Sequence, residues 1–288
     1  MTQTLKPSKT IGIVGLGLIG GSLGLALQKV GYNVHGLTHR SITAARAKKR
    51  GLANLISTNH EILQNCSTVI LALPLNQLLN PNQNLIDALP INATITDVGS
   101  VKEPIVKIWK NLHPKFVGSH PMAGTSQSGV EAGEVNLFNG KAWVTTPDSS
   151  TDIEALQTVR ELAVDLGCHW ISANPADHDQ AVALISHLPV LVSAALLKTA
   201  DNEKSESISN LARALASSGF ADTTRIGGGN AELGLSMMAN NTEAIIYFLN
   251  SYQETLKEFK DTISSKDWNS LRNKLEKTHE IRPDFLNN

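Results

Sequence analysis

Three short segments hold the side chains best able to do chemistry: Gly15-Leu16-Gly17-Leu18-Ile19-Gly20, Asp97-Val98-Gly99-Ser100-Val101-Lys102 and Gly118-Ser119-His120-Pro121-Met122-Ala123-Gly124-Thr125. The first is a G-x-G-x-x-G loop between an apolar run and a helix-like one. In such a loop Gly15 permits the tight turn, Gly17 lets backbone approach a pyrophosphate, and Gly20 lets helix and strand pack closely. The phosphates would then sit on the backbone of Leu18 and Ile19, at the positive end of a helix dipole. The other two segments each run from an apolar stretch into glycine and then to a group that exchanges protons, Ser100 in one and His120 in the other. An imidazole titrating near neutral suits general base catalysis, which typically gives about 10²–10⁴-fold.

Positioning these groups requires strands and helices in alternation. Short apolar runs at 10–14, 33–37, 68–73, 94–98, 116–119, 142–146 and 168–171 read as strands, with amphipathic helical segments such as 41–50 and 151–166 between them. That alternation predicts an α/β, Rossmann-type, doubly wound and mainly parallel sheet covered on both faces. The pattern changes near Asn174-Pro175, where a proline suited to a first helical turn opens an all-helical remainder. Two domains are expected, a dinucleotide-binding domain over 1–173 and an all-α domain over 174–288. The run 181–197 is apolar enough to predict a helix buried on most sides. Segments 206–217, 232–260 and 266–279 are more amphipathic helices, and 223–230, with Gly227-Gly228-Gly229, is a break. Helices this apolar in a small domain predict a homodimer formed through this half.

The end of the second strand decides which dinucleotide fits. An NAD site usually places an acid there for the ribose 2′-hydroxyl. This chain reads Gly36-Leu37-Thr38-His39-Arg40-Ser41, with no carboxylate. A 2′-phosphate suits Thr38 as donor and His39 and Arg40 as cations, so the segment favours NADP. Arg40 also reads as a solvated residue opening the next helix.

The 288 residues carry a net charge of −1 and no long basic run, which argues against nucleic acid or an anionic membrane as partner. Six glycines interrupt the apolar stretch 11–27, which argues against a spanning helix. The polar residues 1–9 lack the apolar core of a signal peptide, so a cytoplasmic location is expected. Cys66 and Cys168 match no metal spacing, no metal site is expected, and both read as small hydrophobes in a reducing compartment.

With these segments in view, the chain resembles the prephenate/arogenate dehydrogenase family of tyrosine biosynthesis. The resemblance rests on 15–21, Asp97–Lys102, the HPMAGT of 120–125, ADHDQAVALISHLP at 176–189 and ASSGFADTTRIGGGNAELG at 216–234, and it runs nearly end to end. It implies oxidation of the ring hydroxyl of a cyclohexadienol, with hydride sent to the nicotinamide and the ring carboxylate lost as carbon dioxide. By resemblance His120 is the base for that hydroxyl, Ser100 hydrogen-bonds the same hydroxyl or steers His120 and also contacts the cofactor, and Arg225 binds a substrate carboxylate with a fork lysine cannot copy. His178 and His187 resemble further polar positions of the substrate pocket, and Thr125, Ser126 and Gln127 its rim. Some prephenate-using members carry an acid where this chain has Ser126 followed by Gln127. The chain looks most like the NADP-dependent, arogenate-using branch found in photosynthetic bacteria. Members inhibited by tyrosine often have a second histidine where this chain has Val190, so strong tyrosine feedback is not expected.

Blander readings stand beside these. His120 is also readable as a satisfied core histidine, and Ser100-x-x-Glu103 is also a capping box. His178, between Asp177 and Asp179 at a helix start, and His187, before Leu188-Pro189, have structural readings too. Hydroxyacid and imine reductases share the architecture and use a lysine in the helical half, for which Lys198 is the candidate, but they leave HPMAGT unexplained. A non-enzymatic NADP-binding protein would need none of Ser100, His120 and Arg225.

Overall fold

The structure is a computed structural model and describes residues 9–125 and 127–286. Strands β1 (Thr10–Val14), β2 (Asn33–Leu37), β3 (Leu55–Ser57), β4 (Thr68–Leu71), β5 (Thr94–Asp97) and β6 (Phe116–Val117) form one sheet in the order β3-β2-β1-β4-β5-β6. Every pairing in it is parallel. The helical connections are α1 (Leu18–Lys29), α2 (Ser41–Lys49), α3 (Leu75–Leu79), α4 (Gln83–Ala88) and α5 (Glu103–Trp109). Because the winding direction reverses between β1 and β4, a crevice opens there at the carboxyl ends of the strands.

Both faces of this sheet are apolar. Ile11, Ile13, Val34 and Ile70 pack with Leu23 and Leu27 of α1 on one face. Val14, Val69, Leu71 and Ile95 pack with Leu78, Ile105 and Trp109 on the other. Side chains alternate across a strand, so only a sheet covered twice needs such continuous apolar runs. The three-residue edge strand β3 was not anticipated from the sequence; Leu55 is exposed and no alternation marks the segment.

The second departure concerns the run 116–119, expected as one strand. The chain breaks at Gly118 and leaves the first sheet. A smaller sheet follows, ordered β7 (Ser119–Pro121), β8 (Ala142–Thr145), β9 (His169–Ser172), with β7 antiparallel to β8 and β8 parallel to β9. Helix α6 (Ile153–Asp165) connects β8 to β9. An added Cβ at Gly118 would lie 2.6 Å from Val106 and 2.7 Å from Thr146, so only glycine fits the crossing.

Among the described residues beyond Ser172 every element is helical. Helix α7 (Pro175–Val182) runs through a π turn (Ala183–His187) into α8 (Leu188–Asp201), followed by α9 (Glu206–Leu215), α10 (Ser218–Thr224), α11 (Ala231–Asn240), α12 (Thr242–Ser264) and α13 (Trp268–Leu286). Asn174 caps α7 by accepting the Ala176 N–H at 2.9 Å, with Pro175 in the first turn as anticipated. The helix expected over 232–260 is interrupted at Asn241, whose side chain turns inward to the Asp179 carbonyl at 2.7 Å. Two compact units result, Met1–Asn241 and Thr242–Asn288. Within the second, α12 and α13 are joined by the Lys274–Glu258 ion pair at 2.8 Å.

The expectation that 181–197 is buried on most sides is not met within one chain. Leu184, Ile185 and Leu196 are exposed, as are Ile208, Leu211 and Leu215 along α9. The Pro175–Asp201 run is long and apolar enough to cross a membrane by length and composition. It also carries His178, Asp179 and His187, all buried and hydrogen-bonded inside the protein, which ties this helix to the fold rather than to lipid.

Candidate active site

The glycine loop closes the turn from β1 into α1. Gly15 sits at φ +92°, a conformation that L side chains rarely adopt, and an added Cβ at Gly20 would collide with the Gly15 carbonyl. Gly17 has open space where a side chain would stand, and α1 begins there with no side-chain cap and no acid in its first turn. The N–H groups of Leu18, Ile19 and Gly20 are therefore presented as a helix N-terminus suited to a pyrophosphate. At the end of β2, Thr38 is buried and its hydroxyl donates to the Arg40 carbonyl at 3.4 Å, while His39 and Arg40 are exposed. The side chains of His39 and Arg40, rather than Thr38, are open to a 2′-phosphate. These residues fit a dinucleotide.

Across the crevice, β7 carries His120, partly open to solvent. Its Nδ1 is 3.0 Å from Nε2 of His178, and Nδ1 of His178 is 2.7 Å from Oδ1 of Asp179. The Asp179 carboxylate also accepts the N–H groups of Lys102 at 2.7 Å and Glu103 at 2.8 Å. With donors aimed at both oxygens, Asp179 acts as acceptor only, so His178 holds a proton on Nδ1 and, in its neutral form, accepts on Nε2. Opposite that neutral form, His120 carries its proton on Nδ1, which leaves Nε2 as a bare lone pair. Burial holds the His120 pKa well below the usual imidazole value, with His178, Lys102 and His187 adding in that order. The arrangement is a neutral, oriented base.

Ser100 lies partly buried in the loop after β5. It does not form the capping box with Glu103: α5 begins at Glu103, and its first donors go to Asp179 instead. The long-range carboxylate is ionised-acceptor chemistry at a helix N-terminus, which outcompetes a neutral hydroxyl. Asp97, Lys102, Asp179 and Asn241 complete the cluster and were not singled out individually from the sequence. Only the first two lay in a segment marked for chemistry, and nothing in local spacing shows that Asp179 and Asn241 turn inward.

His187 is 1% exposed at the end of the π turn, its Nδ1 3.3 Å from Nδ2 of Asn241. Arg225 is exposed at the C-cap of α10; the neighbouring Gly227 packs on α8, its N–H donating to Ser193 Oγ at 2.8 Å. Among the described residues no contact joins Arg225, or the exposed Thr125 and Gln127, to the histidine cluster. Thr125 Oγ1 accepts the Gln127 N–H at 3.2 Å, and Ser126 lies outside the described residues.

Burial pushes the His187 pKa down to about 4 from 6.5, against the pull of Asp179 and with a further push from His178. Between these values the unfolded chain binds a proton that the folded chain refuses. Stability from this group is therefore complete above about pH 6.5 and falls as pH drops, by about 3 kcal/mol once below the folded pKa. His120 acts in the same direction. Chemical denaturation at neutral pH and near pH 5 should show about 2 kcal/mol of this loss, reduced in a His187→Gln variant; the same loss in that variant would assign it elsewhere.

A parallel sheet of this order, with a glycine loop at its reversal point and an oriented base across the crevice, defines a dinucleotide-dependent oxidoreductase. The chain belongs to the prephenate dehydrogenase family: it matches that family's nucleotide-binding domain over residues 23–172 and its dimerization domain over 174–277. It is 30% identical to the prephenate dehydrogenase of Bacillus subtilis over 269 residues, covering 91% of this chain and 72% of that one. The crystal structure of Synechocystis arogenate dehydrogenase superposes with a TM-score of 0.83 at 40% identity, covering 96% of this chain and all (100%) of that one. The prephenate dehydrogenase of A. aeolicus, solved with hydroxyphenyl propionate and NAD+, gives 0.89 at 27% identity, covering 98% and 100%.

Proposed function

We propose that this protein is an NADP-dependent arogenate dehydrogenase, carrying out the oxidative decarboxylation of L-arogenate to L-tyrosine. The observation that carries the reading is the His120–His178–Asp179 chain, which presents one unprotonated imidazole nitrogen beside a dinucleotide crevice. When bound, the nicotinamide supplies the hydride acceptor. His120 Nε2 takes the proton of the ring hydroxyl, and Ser100 orients that hydroxyl or the imidazole. Arg225 takes a substrate carboxylate, and His178, His187, Thr125, Ser126 and Gln127 border the substrate. His178 does so through His120, which it touches. Gly15, Gly17 and Gly20 with the backbone of Leu18 and Ile19 hold the pyrophosphate, and His39 and Arg40 hold the 2′-phosphate.

The arogenate assignment is supported by the 40% identity to the Synechocystis enzyme, against 30% to the Bacillus subtilis one. The NADP assignment is supported by the missing acid after β2. The competing reading, a prephenate dehydrogenase using NAD, is favoured by the names of the Bacillus subtilis and A. aeolicus enzymes and by the NAD+ held in the latter. We also infer a functional division at 173/174 and a cytoplasmic homodimer through the helical half, where the uncovered leucines and isoleucines of α8 and α9 would meet a second copy.

The test is NADPH or NADH formation by purified protein offered arogenate and prephenate separately with each nucleotide. Arogenate with NADP should be turned over fastest. Faster prephenate turnover would overturn the substrate assignment, and faster NAD turnover the cofactor assignment.

A further inference from the structure

The most unusual group near His120 is one that cannot reach a substrate. Asp97 and Lys102 are both fully buried and form an ion pair, Lys102 Nζ to Asp97 Oδ2, at the end of β5. Removing two charges from water is unfavourable enough that well-packed apolar residues would often hold a fold as firmly. The pair therefore calls for an explanation beyond stability, and its other bonds supply one.

Lys102 Nζ also donates to the carbonyl of Ser119 at 2.8 Å, while Asp97 Oδ1 accepts the N–H of Ser119 at 3.1 Å. The residue immediately before His120 is thus gripped on both its N–H and its C=O by the two members of one ion pair. Asp97 Oδ2 further accepts the Gly99 N–H at 2.7 Å, which fixes the loop carrying Ser100. By anchoring Lys102, the pair also holds that residue's main-chain N–H, which donates to Asp179 Oδ1, the oxygen that orients His178.

We propose that the Asp97–Lys102 pair is a positioning device for His120, fixing its backbone directly and its imidazole through Asp179 and His178. The inference rests on His120 being the base. Lys102 touches neither substrate nor nucleotide, so it acts only through its neighbours. The charged and titratable groups around His120 are His178 and Asp179 on α7, His187 in the π turn, Asp97 at the end of β5 and Lys102 before α5. Of these Lys102 is a cation that opposes protonation of His120, and its removal moves the acid limb of activity toward higher pH.

Three variants test this: Lys102→Met, Asp97→Asn, and the double variant Asp97→Asn/Lys102→Met, which leaves no unpaired buried charge and guards against simple unfolding. Turnover in Lys102→Met and in the double variant is expected to fall at least about tenfold, in line with the sensitivity of catalysis to small displacements. Nucleotide affinity should stay within a factor of about two, because the glycine loop is untouched. The acid limb of kcat/KM should move up in Lys102→Met, where a cation alone is lost. A role in stability alone would lower the melting temperature but leave the turnover of the folded fraction at the wild-type level. A folded double variant with wild-type turnover would overturn the proposal. His120→Asn serves as the control that separates the two readings. If it keeps full turnover, the base assignment fails; if it is crippled while the double variant is normal, only the positioning role fails.

Discussion

Replacing His120 with asparagine is expected to lower turnover by about 10²–10⁴-fold, the range typical of a lost general base. Asparagine keeps a group able to bond His178, so the fold and the pocket should survive, but it presents no basic nitrogen to the ring hydroxyl. Dinucleotide affinity should stay within about twofold, since no bond joins His120 to the glycine loop and a transition-state-only interaction appears in kcat and kcat/KM alike. Steady-state kinetics beside a nucleotide titration measures both. Unchanged turnover would remove His120 from the chemistry and leave the histidine chain a structural feature.

Asp179→Asn is expected to have the next largest effect, because three bonds meet on one carboxylate. Its oxygens accept the Lys102 N–H, the Glu103 N–H and His178 Nδ1. An amide offers one acceptor oxygen, and its NH₂ would face donors, so at least one buried N–H loses its partner at about 1–3 kcal/mol. The same change lets His178 move its proton to Nε2, which forces His120 to accept on Nδ1 and place its own proton on Nε2, where the base should be. Wrong-tautomer substitutions of this kind have cost about 10⁴-fold in a serine-protease triad. Here we expect at least about 10²-fold in kcat, together with a lower melting temperature. A destabilised variant with normal kcat would mean that Asp179 only caps α5. Both effects together support its place in the chain from Lys102 to His120.

Much of the fold was legible because its signals are local. Apolar runs alternating with helical spacing marked the parallel sheet, the glycine loop marked the turn into α1, and Asn174-Pro175 marked the start of α7. The edge strand Leu55–Ser57 gave no such signal, since three half-exposed residues carry neither burial nor period. Gly118 looked like the interior of a strand, although it is where the chain changes sheets. Both errors come from the same source: pairing and sheet membership depend on distant neighbours.

By itself the sequence determined the family and marked the glycine loop and the candidate base, because each depends on residue types at fixed short spacings. The His120 side chain could be named from Ser119-His120-Pro121 at the end of an apolar run. Only the tertiary structure decided what orients it. Asp179 lies 77 positions from Lys102 and Asn241 lies 62 from Asp179, yet both bond there. It likewise reassigned the first donors of α5 from Ser100 to Asp179, and it buried Thr38 while leaving His39 and Arg40 open. Capping boxes and strand ends are local patterns, but an ionised oxygen brought in by another helix is a stronger acceptor than the local hydroxyl. Where a buried group finds its partner is set by which helices pack together, and that is decided by the whole apolar surface rather than by any one segment.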